Sequence, residues 1–169
     1  SALGKVPPHW LAAIAEQLSA YESMYHGFAS TPTDKPRALF FSLLTLESAI
    51  VQAKGVVEPR SLVIVEIGGN DLFGQTDASA FQSSLDALVS SLCSQQHQVL
   101  LLEIPLFPFQ NDFGRAQRSM VSKHGVAMLP KRYFTRVLGT ENGTLDGLHL
   151  SQAGHDAMAR IIAGVIQKK

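Results

Sequence analysis

From residue 61 onward the apolar positions alternate between short runs that are apolar on both faces and longer stretches that are apolar on one. In Ser61–Ile67, the unbroken Leu62, Val63, Ile64 and Val65 predict a parallel strand covered on each side. Val99–Ile104, stopped by Pro105, and Val126–Leu129, cut by Pro130, predict two more. Between these runs the spacing turns helical. One helix is expected to start near Asp77 or Ser79, with Phe81, Leu85, Leu88, Val89 and Leu92 in a single stripe. A second is expected around Gly114–His124, and a short one over Lys131–Leu138, ended by Gly139. The last helix is capped by Ser151 and should bury Ala157, Met158, Ile161, Ile162 and Val165.

The first sixty residues are less regular. Pro7 and Pro8 precede a helical pattern made by Trp10, Leu11, Ile14 and Leu18. Residues 22–37 read as loop. Ala38–Leu44 is a short apolar run that suits a strand or the start of a buried helix, and periodicity does not choose between them. Thr45–Val57 reads as a helix with Leu46, Ile50 and Ala53 on one face.

Strands alternating with helices imply an α/β fold. The expectation is a three-layer α/β/α sandwich on a mostly parallel, flavodoxin-like sheet, carried by one domain over residues 1–169. Such sheets bind ligands beyond the carboxyl ends of their strands. Gly68-Gly69-Asn70-Asp71 directly follows the first predicted strand, so it lies on that edge. Asp146-Gly147-Leu148-His149, in the loop entering the last helix, can reach the same edge.

Composition narrows the partners. The chain has 169 residues, enough for a sizeable core, with 46% hydrophobic and 17% charged residues. A net charge of zero gives no electrostatic case for nucleic acid or for an anionic membrane surface. No apolar run is long enough to span a bilayer. The single cysteine, Cys93, excludes an internal disulfide and a thiolate zinc cluster, and its place in an apolar stripe suits a core residue. The chain begins at Ser1 rather than Met, so the lack of a visible signal peptide says little about compartment.

Two segments carry the chemistry. An aspartate three positions before a histidine can reach its inner ring nitrogen, fix the tautomer and leave the other nitrogen as a general base. The plainer alternative is that Asp146 caps a turn and His149 is an ordinary surface residue. An asparagine at a strand exit can aim its amide at a developing oxyanion, and Gly68 and Gly69 allow a sharp turn with room for a ligand. Asp71 is placed to hold that loop through backbone N–H groups. The alternative is an Asn-Asp turn punctuated by glycines. Ser30, Ser42 and Ser48 lack a nucleophile-elbow context. His155, six positions after His149, suggests a metal site with Asp146 but no third well-placed ligand joins them, and it is expected to face solvent. Pro105–Phe113, with three phenylalanines, suits either an acyl-binding groove or a hydrophobic plug over the sheet. Arg115 and Arg118 are read as solvated helix residues, with a charged head group as the alternative partner.

The two segments together resemble the SGNH, or GDSL-type, hydrolase family. Its third block, Gly-x-Asn-Asp, is matched by Gly68, Gly69, Asn70 and Asp71, and its fifth, Asp-x-x-His, by Asp146, Gly147, Leu148 and His149. The resemblance implies a serine hydrolase of esters or thioesters that uses no metal and no cofactor. His149 would be the base, Asp146 its orienting acid and Asn70 an oxyanion donor. The first sixty residues depart from the pattern. The Gly-Asp-Ser block that carries the family's nucleophile is not found, so the nucleophile is expected about two residues before Ser1 or, alternatively, at Ser1 itself. The glycine of the second block is expected between residues 26 and 45, where Gly27 is the only glycine and Phe40–Leu46 is bulky. The family's central first strand would then be missing, which predicts marginal stability or a homo-oligomer unless residues 36–46 or another chain fill the gap. The second reading of the same residues is a non-catalytic domain that binds acyl or sugar ligands, or a fragment lacking its nucleophile.

Overall fold

The computed structural model describes residues 46–54, 62–74, 76–94, 97–105, 111–147 and 149–167. The helix predicted after Pro8, the loop at 22–37, the Ala38–Leu44 run, Ser1 and Gly27 lie outside the described residues. The elements are α1 (Leu46–Ala53), β1 (Leu62–Val65), α2 (Gly69–Phe73), α3 (Ala78–Ser94), β2 (Gln98–Leu102), α4 (Asn111–His124), β3 (Ala127–Leu129), α5 (Lys131–Leu138) and α6 (Gln152–Gln167). They fall into two compact units, one ending at Lys131 and the other beginning at Arg132.

In the first unit, among the described residues, β1, β2 and β3 form a three-stranded parallel sheet in that order. Leu62 lies opposite Gln98 and Val65 opposite Leu101, and Leu102 lies opposite Leu129. All of β1 is buried, as its unbroken apolar run requires, so both sheet faces are shielded from water at that strand. Side chains alternate along a strand, and Val63, Val65, Val99 and Leu101 enter one core cluster with residues of α1, α3 and α4. The α3 stripe Phe81, Leu85, Leu88, Val89 and Leu92 is fully buried in that cluster. Cys93 is partly buried against it, and burial pushes its thiol up. The architecture is α/β on a parallel sheet.

Several boundaries differ from the sequence reading. β2 ends at Leu102 rather than Ile104, yet the Glu103 N–H still donates to Leu129 O at 2.9 Å. The helix predicted from Gly114 begins at Asn111, with Asp112 in its positive first turn. It ends before Gly125, whose φ of +68° is the left-handed stop that glycine accepts. In α1, Leu46, Ala49 and Ala53 are buried and Ile50 only partly.

In the second unit α5 leads into a loop and then α6. Gly139 follows α5 without a left-handed φ; the first left-handed residue is Asn142, at 60°, after the chain has continued to turn. Gly143 is buried there, and a Cβ on it would stand 2.2 Å from Val137 O. The buried apolar side chains of α6 are Met158, Ala159, Ile162 and Ile166, while Ala157, Ile161 and Val165 are only partly covered. The predicted face has the helical spacing but is rotated by part of a turn, toward Ala159 and Ile166.

Candidate active site

At the exit of β1 the chain passes through Glu66 and Ile67 to Gly68. Gly68 has φ +115°, and a Cβ there would lie 2.8 Å from the Phe81 ring and 3.3 Å from Ile104 Cδ1. Both facts demand glycine at this position. The turn leads into α2, where the Leu72 N–H donates to Gly68 O at 2.9 Å and the Gly74 N–H to Asn70 O at 2.7 Å. Asn70 is exposed, whereas Asp71 is buried. Asp71 accepts from the backbone N–H of Leu46 and from the Thr76 hydroxyl, each at 3.3 Å. The aspartate thus ties α2 to the start of α1.

The second motif stands on the loop before α6. An antiparallel bridge joins Thr144 to Leu150, and the Leu145 N–H donates to His149 O at 2.8 Å. Gly147 takes φ +87° at the tip, and its N–H donates to the Thr144 hydroxyl at 3.2 Å. Asp146 uses both carboxylate oxygens on one residue. Oδ1 accepts the His149 backbone N–H at 2.8 Å, and Oδ2 lies 2.6 Å from Nδ1 of the ring. A carboxylate only accepts, so Nδ1 donates in this contact, and in the neutral ring Nε2 is the acceptor nitrogen. Both side chains are about half exposed, at 53% and 54%. Ser151 caps α6 as predicted, its hydroxyl accepting the Gly154 N–H at 3.2 Å.

Three polar side chains near the strand exits were not singled out from the sequence, Glu66 half-buried and Glu103 and Gln117 buried. Glu66 stands two residues before Gly68, and desolvation of its enclosed carboxyl pushes it from 4.5 up to about 7. Glu103, at the matching exit of β2, is buried and accepts the Lys131 N–H at 2.9 Å and a guanidinium N–H of Arg118. Gln117 accepts the Ile104 N–H at 3.2 Å and donates to Leu102 O at 3.4 Å. The available signal was a carboxylate inside an unbroken apolar run, as in Val65-Glu66-Ile67 and Leu102-Glu103-Ile104.

Other expectations need correction. Phe113 is not in a loop: it lies on α4, buried against Phe81 with ring centroids 4.7 Å apart. It is core, while Phe107 and Phe109 lie outside the described residues. Arg118 remains exposed, as read, but its guanidinium also pairs with buried Glu103. Arg115 pairs with Asp112 at the surface. His155 is half-buried rather than facing solvent. His124 shares Asp86 with Lys123, and these two partners hold the Asp86 carboxyl below its usual range. Among the described residues no cluster of three or more metal-ligating side chains occurs, and no helix is long and apolar enough to cross a membrane.

The fold has solved counterparts. The crystal structure of TesA superposes with a TM-score of 0.68 at 18% identity, covering 94% of this chain and 87% of that one. The psychrotrophic esterase EstA from Pseudoalteromonas sp., in a structure inhibited by monoethylphosphonate, gives 0.67 at 14% identity, covering 94% and 86%. No curated protein matches the chain in sequence. The sequence model of the GDSL-like lipase/acylhydrolase family matches residues 3–157, a span that includes both motifs. With that match over most of its length, the chain belongs to the GDSL-like lipase/acylhydrolase family, and its chemistry is carboxylic-ester hydrolysis.

Proposed function

We propose that this protein cleaves carboxylic esters or thioesters through a serine acyl-enzyme, with His149 as general base, Asp146 as its orienting acid and Asn70 as an oxyanion donor. The observation that carries the reading is the two-point grip of Asp146 on the backbone and ring of His149. A ring held in one rotamer and one tautomer presents Nε2 ready to accept a proton.

The steps follow from that arrangement. A serine hydroxyl of the family's first block attacks the carbonyl carbon as Nε2 takes its proton. Ser1 is the first candidate for that serine within the chain. The Asn70 amide donates to the carbonyl oxygen as it becomes negative, a contact whose loss costs roughly 10²–10³ in rate. The intermediate collapses, and His149 returns the proton to the departing alcohol or thiol. Water then attacks the acyl-serine with the same base, releasing the acid. Short- and medium-chain acyl esters are the first substrates to try.

The test is release of p-nitrophenol from p-nitrophenyl butyrate by the chain beside His149→Ala and Asn70→Ala. Turnover that falls to background in the first variant and by roughly 10²–10³ in the second supports the assignment. Equal turnover in all three would remove both residues from the mechanism. No turnover in any would favour the ligand-binding reading.

A further inference from the structure

The glycines around the exit of β1 are not alike. Gly68 is required by its φ and by the Phe81 ring, and a Cβ on Gly74 would stand 2.7 Å from Asn70 O. Gly69 answers to neither demand. Its φ is not left-handed, and a Cβ built on it meets nothing within 4 Å among the described residues. It is also the first residue of α2, and glycine is the least favourable helix residue after proline. The described fold gives no reason for a glycine here.

Its neighbours on α2 suggest one. Asp71 and Leu72 are buried, while Asn70 and Phe73 are exposed, Phe73 by 54%. Residues three and four apart share a helix face, so Phe73 lies on the same edge as Gly69 and Asn70. That edge combines a hydrogen-bond donor, a bare Cα and an apolar ring. An ester needs these three features together: a donor for its carbonyl oxygen, and apolar contact without obstruction beside its carbonyl carbon. Gly164 in α6 is equally open but has no motif residue beside it in sequence, so it serves as a control.

We propose that Gly69 sets the specificity of the ester site, the space left by its missing side chain beside Asn70 taking a substituent on the α-carbon of the acyl group, against Phe73. This rests on the hydrolase reading above. Gly69 is a positioning element by absence. Adding a methyl there excludes branched acyl groups and spares acetyl.

The experiment compares the full chain with Gly69→Ala and Gly164→Ala, by calorimetric binding and thermal unfolding. The probes are ketone isosteres of p-nitrophenyl isobutyrate and p-nitrophenyl acetate, in which a methylene replaces the ester oxygen, so no nucleophile is needed. Expected for Gly69→Ala is a loss of about tenfold or more in affinity for the branched probe. The acetyl probe should change by less than about threefold, and Tm should stay level or rise. Gly164→Ala should bind both probes as the parent does. Equal binding of the branched probe by Gly69→Ala overturns the proposal, and so does a lowered Tm, since the space would then be filled by the chain itself. If the parent binds neither probe, the hydrolase reading fails and the proposal falls with it.

Discussion

At the exit of β1, Gly68 is pressed between Phe81 and Ile104, and Asp71 reaches 25 positions back to Leu46. At the entry to α6, the bonds among the described residues that shape Asp146–His149 run within residues 142–155. Among the described residues, the oxyanion-side segment is held by tertiary packing and the acid–base segment by bonds within its own loop. A local device can stand half exposed and keep its geometry, since each bond spans only a few residues. A segment held from outside is only as fixed as the core behind it.

The largest effect should come from the self-contained loop. Asp146→Asn keeps the shape but turns an obligatory acceptor into a side chain that can present N–H to the ring, favouring the wrong tautomer. A drop in kcat of roughly 10⁴ is expected, with little change in Tm because the site is exposed. A large fall in Tm would show that the loop is not self-contained.

The next effect separates two left-handed glycines. Gly68→Ala pays for the backbone and for displacing Phe81, about 3 kcal/mol together. Gly147→Ala pays only the backbone cost of about 1–2 kcal/mol, because no described atom lies near its Cβ. Thermal unfolding of both variants measures the gap, and equal losses would break the contrast.

The smallest effect concerns Glu66. Between 4.5 and about 7 the folded protein keeps a proton that the unfolded chain has released. The contribution of this group to stability is therefore full below that window and lost as pH rises through about 7. Glu66→Gln carries no charge at any pH. Its Tm should exceed the parent's at about pH 8 and approach it at about pH 5. A parent Tm that does not decline relative to the variant over that range would remove Glu66 as a buried acid.

Much of this was open to a reader of the sequence. The run Leu62–Val65 reads as a strand shielded on both faces, and the α3 stripe from Phe81 to Leu92 as a face turned to a core, and both are buried as read. The Asp146–His149 contact was also legible, because three positions in a turn confine two side chains to one neighbourhood whatever surrounds them. Periodicity failed where several registers bury similar area, as on α6, and where an aromatic residue near a loop proved to be core, as with Phe113.

Short-range order follows from chain geometry and can be read from residue spacing. The partners of Asp71, Glu103 and Gln117 lie 5 to 28 positions away and depend on how strands and helices pack, which no local pattern encodes. The same holds for the glycines. The sequence marks Gly68 and Gly69 alike, and only the folded chain separates them, because a ring stands over the first and no described atom stands over the second.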